Sequence, residues 1–329
     1  MAVLVTGGAG YIGSHTVLEL LDAGEKPVVL DDLSTGFRWA VPEGVPLVVG
    51  DDGDEDLVTE TIGRYDIDAI IHFAAKIVVP DSVADPLGYY LNNTAKARTL
   101  IATAVGCDIR NFIFSSTAAV YGDPSRQPVS EDVPLNPVSP YGRSKLMVEW
   151  MLEDTAKAHD FAYVALRYFN VAGADPKGRS GQSTPNATHL IKVAAQTALG
   201  QRAKMQVFGT DYPTQDGTCV RDFIHVTDLA RAHIDALRYL RGGGASLVAN
   251  CGYAKGFSVL EVIEAVKRAS GVDFPVEYAP RRPGDPAAIV ASNARAREIL
   301  GWKPEHDNLD EIVLQALDWE KRLAERGTS

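Results

Sequence analysis

An α/β fold built on a doubly wound, parallel sheet is predicted by two features of the sequence. Short continuous runs of Val, Ile and Leu, bounded by Gly, Asp or Ser, are typical of parallel strands covered on both faces. These runs alternate with amphipathic helical patterns, such as 14–23 and 93–105, and that alternation is typical of doubly wound sheets. Strands are predicted at residues 3–6, 27–30, 47–49, 69–73, 111–115, 161–166 and 247–251.

The character of the sequence changes after residue 170. Stretches rich in Gly, Pro, Ser and Asn indicate loops at residues 171–187, 209–217 and 281–286. The chain length of 329 residues suits about two domains. We therefore predict a first domain over residues 1–170, with a returning segment near 225–255, and a smaller, loop-rich C-terminal substrate domain over residues 171–329.

Composition excludes several classes of protein. Lys and Arg total 32 and Asp and Glu total 43, so the net charge of −11 argues against coating nucleic acid or an anionic membrane. The three cysteines are widely spaced, which predicts free thiols in a reducing compartment rather than disulfides or a metal site. We find neither a signal peptide nor an apolar stretch of about 18 residues. A cytoplasmic protein with no metal, nucleic-acid or membrane partner is therefore expected.

A glycine-rich loop follows the first predicted strand and precedes a helix. Gly8, Gly10 and Gly13 match the GxGxxG pattern, and Gly7 with Gly10 and Gly13 matches GxxGxxG. Glycines here permit a tight turn and close approach of the backbone to a pyrophosphate, and the N-terminus of the following helix supplies amide donors. The motif predicts a Rossmann-type dinucleotide site.

Acidic and small residues at later strand ends fit the rest of a dinucleotide. Asp31 lies eighteen residues beyond Gly13, where a carboxylate can bind a ribose diol and repel a 2′-phosphate. This favours NAD over NADP. Asp51 follows the third strand and could reach the adenine, although a solvated loop residue is nearly as good an interpretation. Phe73, Ala74 and Ala75 follow the fourth strand.

A hydroxyl, a phenol and an amine form the candidate catalytic group. Thr117 follows strand five, and Ser139 caps a helix that Pro140 begins. Tyr141 and Lys145 lie four residues apart and so share one helix face. A phenol has a pKa of about 10, and a neighbouring ammonium together with a cationic nicotinamide would favour the phenolate and lower that pKa. We predict Tyr141 as the base, with Thr117 hydrogen bonded to a substrate alcohol.

These motifs resemble the extended short-chain dehydrogenase/reductase superfamily and, within it, the UDP-glucose 4-epimerase family. The resemblance covers nearly the whole chain, and the loop between residues 208 and 226 is its most discriminating part. The segments that carry it are residues 6–13, 112–122, 139–145, 167–170, 209–214, 216–218, 220–226 and 281–285.

The resemblance implies a tightly held NAD and a UDP-sugar substrate. Tyr141 would remove the 4-hydroxyl proton while hydride leaves C4, Lys145 would bind the nicotinamide ribose, and Thr117 would bind the 4-oxygen. A transient 4-keto sugar would turn over and be reduced on its other face, which interconverts UDP-galactose and UDP-glucose. The implied cofactor residues are Gly7, Gly10, Tyr11, Ile12, Gly13, Asp31, Asp32, Asp51, Phe73, Ala74, Ala75, Asn92, Ser115, Tyr141, Lys145 and Tyr168. The implied substrate residues are Thr117, Tyr141, Asn170, His189, Leu190, Gln206, Phe208, Arg221, Phe223, Arg282 and Asp285.

The sequence departs from the family pattern at three points. Thr117 stands where many such epimerases have Ser, which keeps the hydroxyl. Ile77 occupies the usual lysine position and Lys76 lies one residue early, so Lys76 is left without a role. Ile289, at the gatekeeper position of the sugar pocket, is intermediate between the bulky residues that exclude N-acetylated sugars and the small residues that admit them.

Other functions are weighed against this interpretation. A 4,6-dehydratase would carry an Asp-Glu pair after Thr117, but Ala118 and Ala119 follow it here. C4-epimerases of UDP-N-acetylhexosamines, UDP-pentoses or UDP-uronic acids remain alternatives, as does a dehydrogenase that uses free NAD. A non-catalytic NAD sensor could dispense with Tyr141 and Lys145, which this chain retains. The helices near 86–105 and 141–158 could form a four-helix homodimer interface, as is usual in the families that this chain resembles.

Overall fold

A computed structural model describes residues 1–185, 187–282 and 284–327. Pro283, part of the 281–285 motif, lies outside the described residues. Strands occur at β1 (Ala2–Thr6), β2 (Pro27–Asp31), β3 (Leu47–Val49), β4 (Ile67–His72), β5 (Asn111–Thr117), β6 (Ala162–Tyr168), β7 (Asn170–Ala172), β8 (Met205–Phe208), β9 (Val220–His225), β10 (Leu247–Cys251), β11 (Gly256–Ser258), β12 (Val276–Ala279) and β13 (Ala288–Ile289).

Helices lie between these strands. The α-helices are α1 (Tyr11–Asp22), α2 (Glu55–Tyr65), α3 (Val79–Ala84), α4 (Pro86–Tyr90), α5 (Lys96–Gly106), α6 (Pro140–Ala158), α7 (Leu190–Ala198), α8 (Val226–Arg241), α9 (Val259–Ser270), α10 (Ala294–Ile299) and α11 (Leu309–Glu325). Short 3₁₀ turns occur at Arg38–Ala40 and Ala118–Val120, and a π-helical turn at Leu91–Ala95 precedes α5. Among the described residues, no helix is long and apolar enough to cross a membrane.

The central sheet confirms the predicted doubly wound architecture. It has seven strands in the order β10-β6-β5-β4-β1-β2-β3, and all its pairings are parallel. The strand order reverses at β1, because β2 and β3 extend to one side and β4 and β5 to the other. In such sheets a crevice opens beyond the carboxyl ends of the strands at this switch point. The carboxyl edge near β1 is therefore the expected position of a ligand.

Buried apolar residues form a layer on each face of the sheet. One face packs against α1 and α8, with Leu20, Leu229 and Leu237 fully buried. The other packs against α2, α5 and α6, with Leu100 and Leu152 fully buried. Coverage of both faces explains why the strands are continuous apolar runs rather than alternating ones.

The C-terminal part has a core of its own, formed by α7, α9 and α11 with β8. The chain nevertheless returns to the sheet, because β10 pairs with β6 in parallel register. A smaller sheet of β7, β9, β11 and β13 joins the two parts, since β7 follows β6 directly. The crevice edge and the C-terminal part thus face each other across β7.

Several predicted boundaries differ from the structure. Strand β5 continues to Thr117 instead of ending at residue 115, so the candidate hydroxyl lies on the strand. Phe73 and Phe161 lie just outside β4 and β6. The predicted helix over 93–105 begins as a π-helical turn, a local irregularity that is frequent at functional sites.

Candidate active site

The glycine loop at the end of β1 packs too closely against its own backbone and the segment after β4 to admit side chains. Gly7 has a φ of +69°, and a Cβ there would lie 2.7 Å from the Ala74 nitrogen. A Cβ on Gly13 would lie only 2.2 Å from the Gly7 oxygen. Helix α1 begins at Tyr11 directly after Gly10, which has no side chain to cap the first amides. Those amides and the positive end of the helix dipole suit a pyrophosphate.

The Tyr11 side chain points away from that loop. Its hydroxyl donates to the carbonyl oxygen of Gly173 at 2.7 Å, which ties α1 to the segment that leads into the C-terminal part. The Ser14 and Ser180 hydroxyls make a second link between the same regions at 2.8 Å. Only the main-chain amides of Tyr11 and Ile12 are therefore suited to meet phosphate oxygens.

The two acids at the end of β2 are held differently. Asp31 is buried and accepts hydrogen bonds from the amides of Ala9 at 2.9 Å and Leu33 at 2.8 Å. Its burial raises its pKa above the usual value. Asp32 accepts bonds from the amide and hydroxyl of Ser34 in an exposed turn. Asp31 thus supports the glycine loop itself and lies where a ribose diol would be bound.

Beyond β3, two consecutive acids follow the end of the strand. Asp51 pairs with the Lys96 amine at 2.6 Å and accepts a bond from the Gly53 amide at 2.8 Å. The sequence analysis missed Asp52, whose Oδ2 is buried without a hydrogen-bond partner, 3.8 Å from Nδ1 of His72. Burial raises the pKa of Asp52 to about 7 and lowers that of His72 to about 3, so this contact is not an ion pair at neutral pH.

The segment after β4 is held by an asparagine that the sequence analysis also missed. Asn93, in the π-helical turn, accepts a bond from the Lys76 amide and donates to the Lys76 carbonyl, at 2.8 and 2.9 Å. The predicted cofactor residue Asn92 donates to Asn93 at 3.1 Å. The main chain of Lys76 is thus fixed while its side chain is exposed. Phe73, Ala74 and Ala75 are only partly buried and face the glycine loop through the contact of Ala74 with Gly7.

These residues fit a dinucleotide. The crevice edge has a tight glycine loop in which a Cβ on Gly7 or Gly13 would meet backbone atoms, uncapped amides at a helix N-terminus and a buried carboxylate beside the loop. A 2′-phosphate would lie close to the negative charges of Asp31 and Asp32, so the site favours NAD over NADP.

The candidate catalytic side chains meet at the carboxyl end of β5. The Ser139 hydroxyl accepts a bond from the Gly142 amide at 3.1 Å and Pro140 begins α6, as the sequence predicts. The Tyr141 phenol lies close enough to the Thr117 side chain for Thr117 to lower its pKa. The Lys145 amine donates to the Ser115 carbonyl at 3.0 Å and lies 4.9 Å from the centre of the Phe114 ring.

Burial dominates the electrostatics of this group. It raises the pKa of Tyr141 to about 12, and the neighbouring Thr117 side chain offsets only part of that increase. Burial also lowers the pKa of Lys145 to about 7, so this amine carries only part of its charge at neutral pH. The lowered Tyr141 pKa expected from Lys145 together with a cationic nicotinamide stays a prediction.

Ser115 and Tyr168 lie beneath this group. Their hydroxyls share a short hydrogen bond between β5 and β6, which are adjacent strands of the sheet. Burial raises the pKa of Tyr168, so its phenol stays neutral. Ser115 and Tyr168, both predicted to bind the cofactor, thus link β5 to β6 through their side chains.

Four of the predicted substrate residues line one pocket between the sheet edge and the C-terminal part: Asn170, His189, Leu190 and Phe223. Burial lowers the pKa of His189, so the imidazole is neutral at pH 7. Its Nδ1 lies 3.4 Å from the Gln182 amide nitrogen. The pocket thus combines polar groups, among them the Lys192–Glu320 ion pair, with apolar walls.

The remaining predicted substrate residues form two groups. Arg221 donates to the carbonyls of Val220 and Pro286, both at 2.9 Å, and its Nη2 lies 3.7 Å from Asp285. The guanidinium carbon of Arg282 lies 3.8 Å from the centre of the Phe208 ring. Phe208 ends β8 and Arg282 follows β12, and these two strands pair in parallel. Gln206 is exposed on β8 between the buried Met205 and Val207.

Comparisons with known proteins agree with this geometry. The NAD dependent epimerase/dehydratase family matches residues 3–252. A UDP-glucose 4-epimerase from Azospirillum brasilense is 56% identical over 321 residues, covering 98% of this chain and 92% of that protein. The structure of a UDP-glucose 4-epimerase from Brucella ovis in complex with NAD has a TM-score of 0.94 and 45% identity, covering 96% of this chain and 97% of the other. A UDP-Glc/GlcNAc 4-epimerase from Campylobacter jejuni has a TM-score of 0.86 and 49% identity, covering 98% and 99%.

Proposed function

The chain belongs to the NAD dependent epimerase/dehydratase family, and from that membership we propose that it interconverts UDP-galactose and UDP-glucose at C4 with NAD as cofactor. The observation that carries the proposal is the meeting of Thr117, Tyr141 and Lys145 at the switch-point crevice. This group is adjacent to the glycine loop, which fits a dinucleotide, and to the pocket lined by Asn170 and His189.

The reaction is a proton transfer coupled to a reversible oxidation. Tyr141 takes the proton of the 4-hydroxyl, and its neighbour Thr117 holds the 4-oxygen in reach. Bound NAD would supply a two-electron acceptor for the hydride of C4 and a positive charge that favours the phenolate. After the 4-keto sugar turns over, the hydride would return to the opposite face of C4 while Tyr141 returns the proton to the 4-oxygen. Nothing is oxidised overall, so no external redox partner is consumed.

Lys145 holds the nicotinamide ribose in this proposal. Its amine already donates to the Ser115 carbonyl, which fixes its direction beneath the crevice. Because its pKa is lowered to about 7 in the buried site, a bound hydroxyl or anion restores the charged form as it approaches. Asp31 would bind the adenosine ribose beside the glycine loop.

Two arginines and a phenylalanine would hold the UDP moiety. Guanidinium groups suit phosphate oxygens because they present paired donors, and Arg221 and Arg282 are the candidates. The Phe208 ring would contact the uracil, while Asn170, His189 and Asp285 complete the pocket. Arg221 keeps donors beyond those bound to Val220 and Pro286.

We also propose that the protein acts as a homodimer in the cytoplasm. Large apolar side chains are exposed together on α3, the α4–α5 segment and α6: Val83 at 65%, Leu87 at 78%, Leu91 at 64% and Trp150 at 53%. Exposed apolar area of this kind marks association surfaces. Sedimentation should give twice the chain mass of 35.4 kDa; a monomer contradicts the dimer. The three free cysteines are consistent with a reducing compartment.

A coupled assay on two substrates tests the function. UDP-galactose and UDP-N-acetylgalactosamine are supplied side by side to the purified protein without added cofactor. Turnover of UDP-galactose supports the proposal, and its absence contradicts it. The second substrate tests the alternative specificity: Ile289 is buried on β13, beside Arg221 on β9, and is neither aromatic nor small.

A further inference from the structure

A buried ion pair lies beneath the catalytic edge. Glu149 on α6 and Arg167 on β6 are each only 4% exposed. Nη2 of Arg167 donates to Oε2 of Glu149 at 2.6 Å, and Nε donates to Oε1 at 2.9 Å. Two parallel charge-assisted bonds fix the mutual orientation of the two groups more tightly than one bond would.

The carboxylate also contacts the strand that carries the reacting hydroxyl. The Ser116 hydroxyl donates to Oε1 of Glu149 in a short hydrogen bond. Ser116 stands between Ser115, whose carbonyl accepts a bond from Lys145, and Thr117, whose side chain neighbours Tyr141. One carboxylate therefore links α6, β5 and β6 at the residues next to the site.

Arg167 extends this hydrogen-bond network from Glu149 to Tyr121 and Asn250. Its Nη1 donates to the Tyr121 hydroxyl at 3.0 Å, and that hydroxyl donates to Oδ1 of Asn250 at 2.7 Å. Tyr121 follows the 3₁₀ turn after β5, and Asn250 lies on β10. The network thus joins the strands on both sides of β6, and its members are buried and paired.

Spacing along α6 connects this network to the catalytic pair. Tyr141, Lys145 and Glu149 follow one another at intervals of four residues, so they form one row along the helix. A buried ion pair adds little to stability, and apolar replacements of similar volume are often neutral or stabilising. The network is therefore better explained by the geometry that it imposes than by its contribution to stability.

We propose that Glu149 and Arg167 are positioning residues for the reaction: by clamping α6 to Ser116 and β6, they fix the rotation and depth of the helix at which Tyr141 and Lys145 meet Thr117. The inference rests on the proposed function, since it concerns the same reacting groups. A misplacement of about 1 Å at such a site lowers turnover by about 100-fold. The contacts of Arg221 and Arg282, the residues proposed to bind the diphosphate, include neither Glu149 nor Arg167.

The decisive variant removes both charges: Glu149→Leu with Arg167→Met. Its matched control is Glu153→Leu with Lys157→Met, which removes an exposed ion pair one turn further along the same helix. We expect the first variant to keep its fold and its KM for UDP-galactose, while kcat falls about 100-fold. The control should keep both constants. A folded first variant with wild-type kcat overturns the proposal, and so does an equal loss in the control.

A conservative variant covers the case in which the double variant does not fold. Arg167→Lys keeps the positive charge but cannot make both bonds to Glu149 and the bond to Tyr121. Circular dichroism checks its fold. A roughly tenfold fall in kcat with unchanged KM is expected, the effect of about one lost charged hydrogen bond. A normal kcat in folded Arg167→Lys overturns the proposal.

Retention of bound NAD separates this inference from the proposed function. Tyr141 and Lys145 are proposed for the nicotinamide end, so a shifted α6 should lower the amount of NAD that stays with each chain through gel filtration, while UDP binding stays normal. If the wild-type protein does not epimerise UDP-galactose, the proposed function fails, yet loss of NAD from the Glu149 and Arg167 variants still supports the clamp. Wild-type NAD content in those variants contradicts it.

Discussion

The two ends of the crevice are built in opposite ways. At the sheet edge, Thr117 and Lys145 are buried, and each is held by a neighbour on β5 or α6. At the other end, Arg282 and Asp285 are exposed on the segment between β12 and β13. The difference teaches that the groups proposed to react are preorganised by the sheet, whereas two of the residues proposed to bind UDP lie on an exposed segment. Changes at the edge should therefore act on kcat, and changes at the far end on KM.

Tyr141→Phe should have the largest effect at the edge. The ring is kept and the proton acceptor is lost, so kcat for UDP-galactose should fall by about 10²–10⁴-fold. Bound NAD, measured after denaturation of the purified protein, should remain near one per chain. Tyr278→Phe, at an exposed tyrosine on β12, is the control and should be fully active. Near-normal turnover of Tyr141→Phe would remove this residue as the base.

Arg221→Ala should have the largest effect at the far end. Loss of charge-assisted hydrogen bonds to phosphate, each contributing about 1.5–3 kcal/mol, should weaken UDP binding about 10–100-fold. Calorimetry with UDP measures this, while kcat at saturation should change little. The control is Arg268→Ala, since Arg268 is exposed and pairs with Asp310 far from the pocket. Unchanged UDP affinity would contradict the role of Arg221.

Gly13→Ala tests the glycine loop. Its Cβ would lie 2.2 Å from the Gly7 oxygen and 2.8 Å from Cα of Gly8, so the loop has to move. Overpacking of this kind costs about 1–3 kcal/mol, and about 1.4 kcal/mol corresponds to tenfold in affinity. We expect NAD to bind at least about tenfold more weakly and the melting temperature to fall.

The control for that variant is Gly63→Ala on α2, where a Cβ meets nothing within 4 Å. A helical Gly is less favourable than Ala by about 0.5–1 kcal/mol, so this change should stabilise the protein slightly. A Gly13→Ala protein that binds NAD normally would contradict the close approach of pyrophosphate to this loop.

Asp52→Asn should have the smallest effect of these substitutions. It should change how the stability of the folded protein depends on pH. The pKa of Asp52 is raised to about 7 in the folded protein, so folding takes up a proton between about pH 4 and pH 7. Its contribution to stability is full below about pH 4 and is lost as the pH rises through 7. The melting temperature of Asp52→Asn relative to wild type should therefore be higher at pH 8 than at pH 5. Asp56→Asn, at an exposed site, is the control and should show no such change with pH. If the melting temperatures of Asp52→Asn and wild type differ equally at pH 5 and pH 8, the burial argument is contradicted.

The sheet was largely predictable from the sequence. Continuous apolar runs predicted its seven strands within a few residues, because burial on both faces leaves a strong local signal. The glycine loop and the Ser139 cap were also predictable, since both depend on local backbone chemistry. Their structure follows from contacts within a few residues of the motif.

The electrostatics of the site were less predictable. The raised pKa values of Tyr141 and Asp52 depend on burial by segments that are distant in the sequence. Asn93 holds the segment after β4, whereas the sequence analysis selected its neighbour Asn92. Spacing along the sequence does not show which of the two asparagines has this role. Glu149 left a readable signal, eight residues after Tyr141 on the same helix row, but its partner Arg167 is brought to it only by the sheet.

Turnover of UDP-galactose labelled with deuterium at C4 tests the central claim most directly. The purified protein is given this substrate without added cofactor, and the product is examined by NMR. The account predicts UDP-glucose that keeps the deuterium at C4, because hydride leaves and returns within one crevice while Tyr141 exchanges only the hydroxyl proton. Loss of the label to water, or no UDP-glucose without an external oxidant, would contradict it.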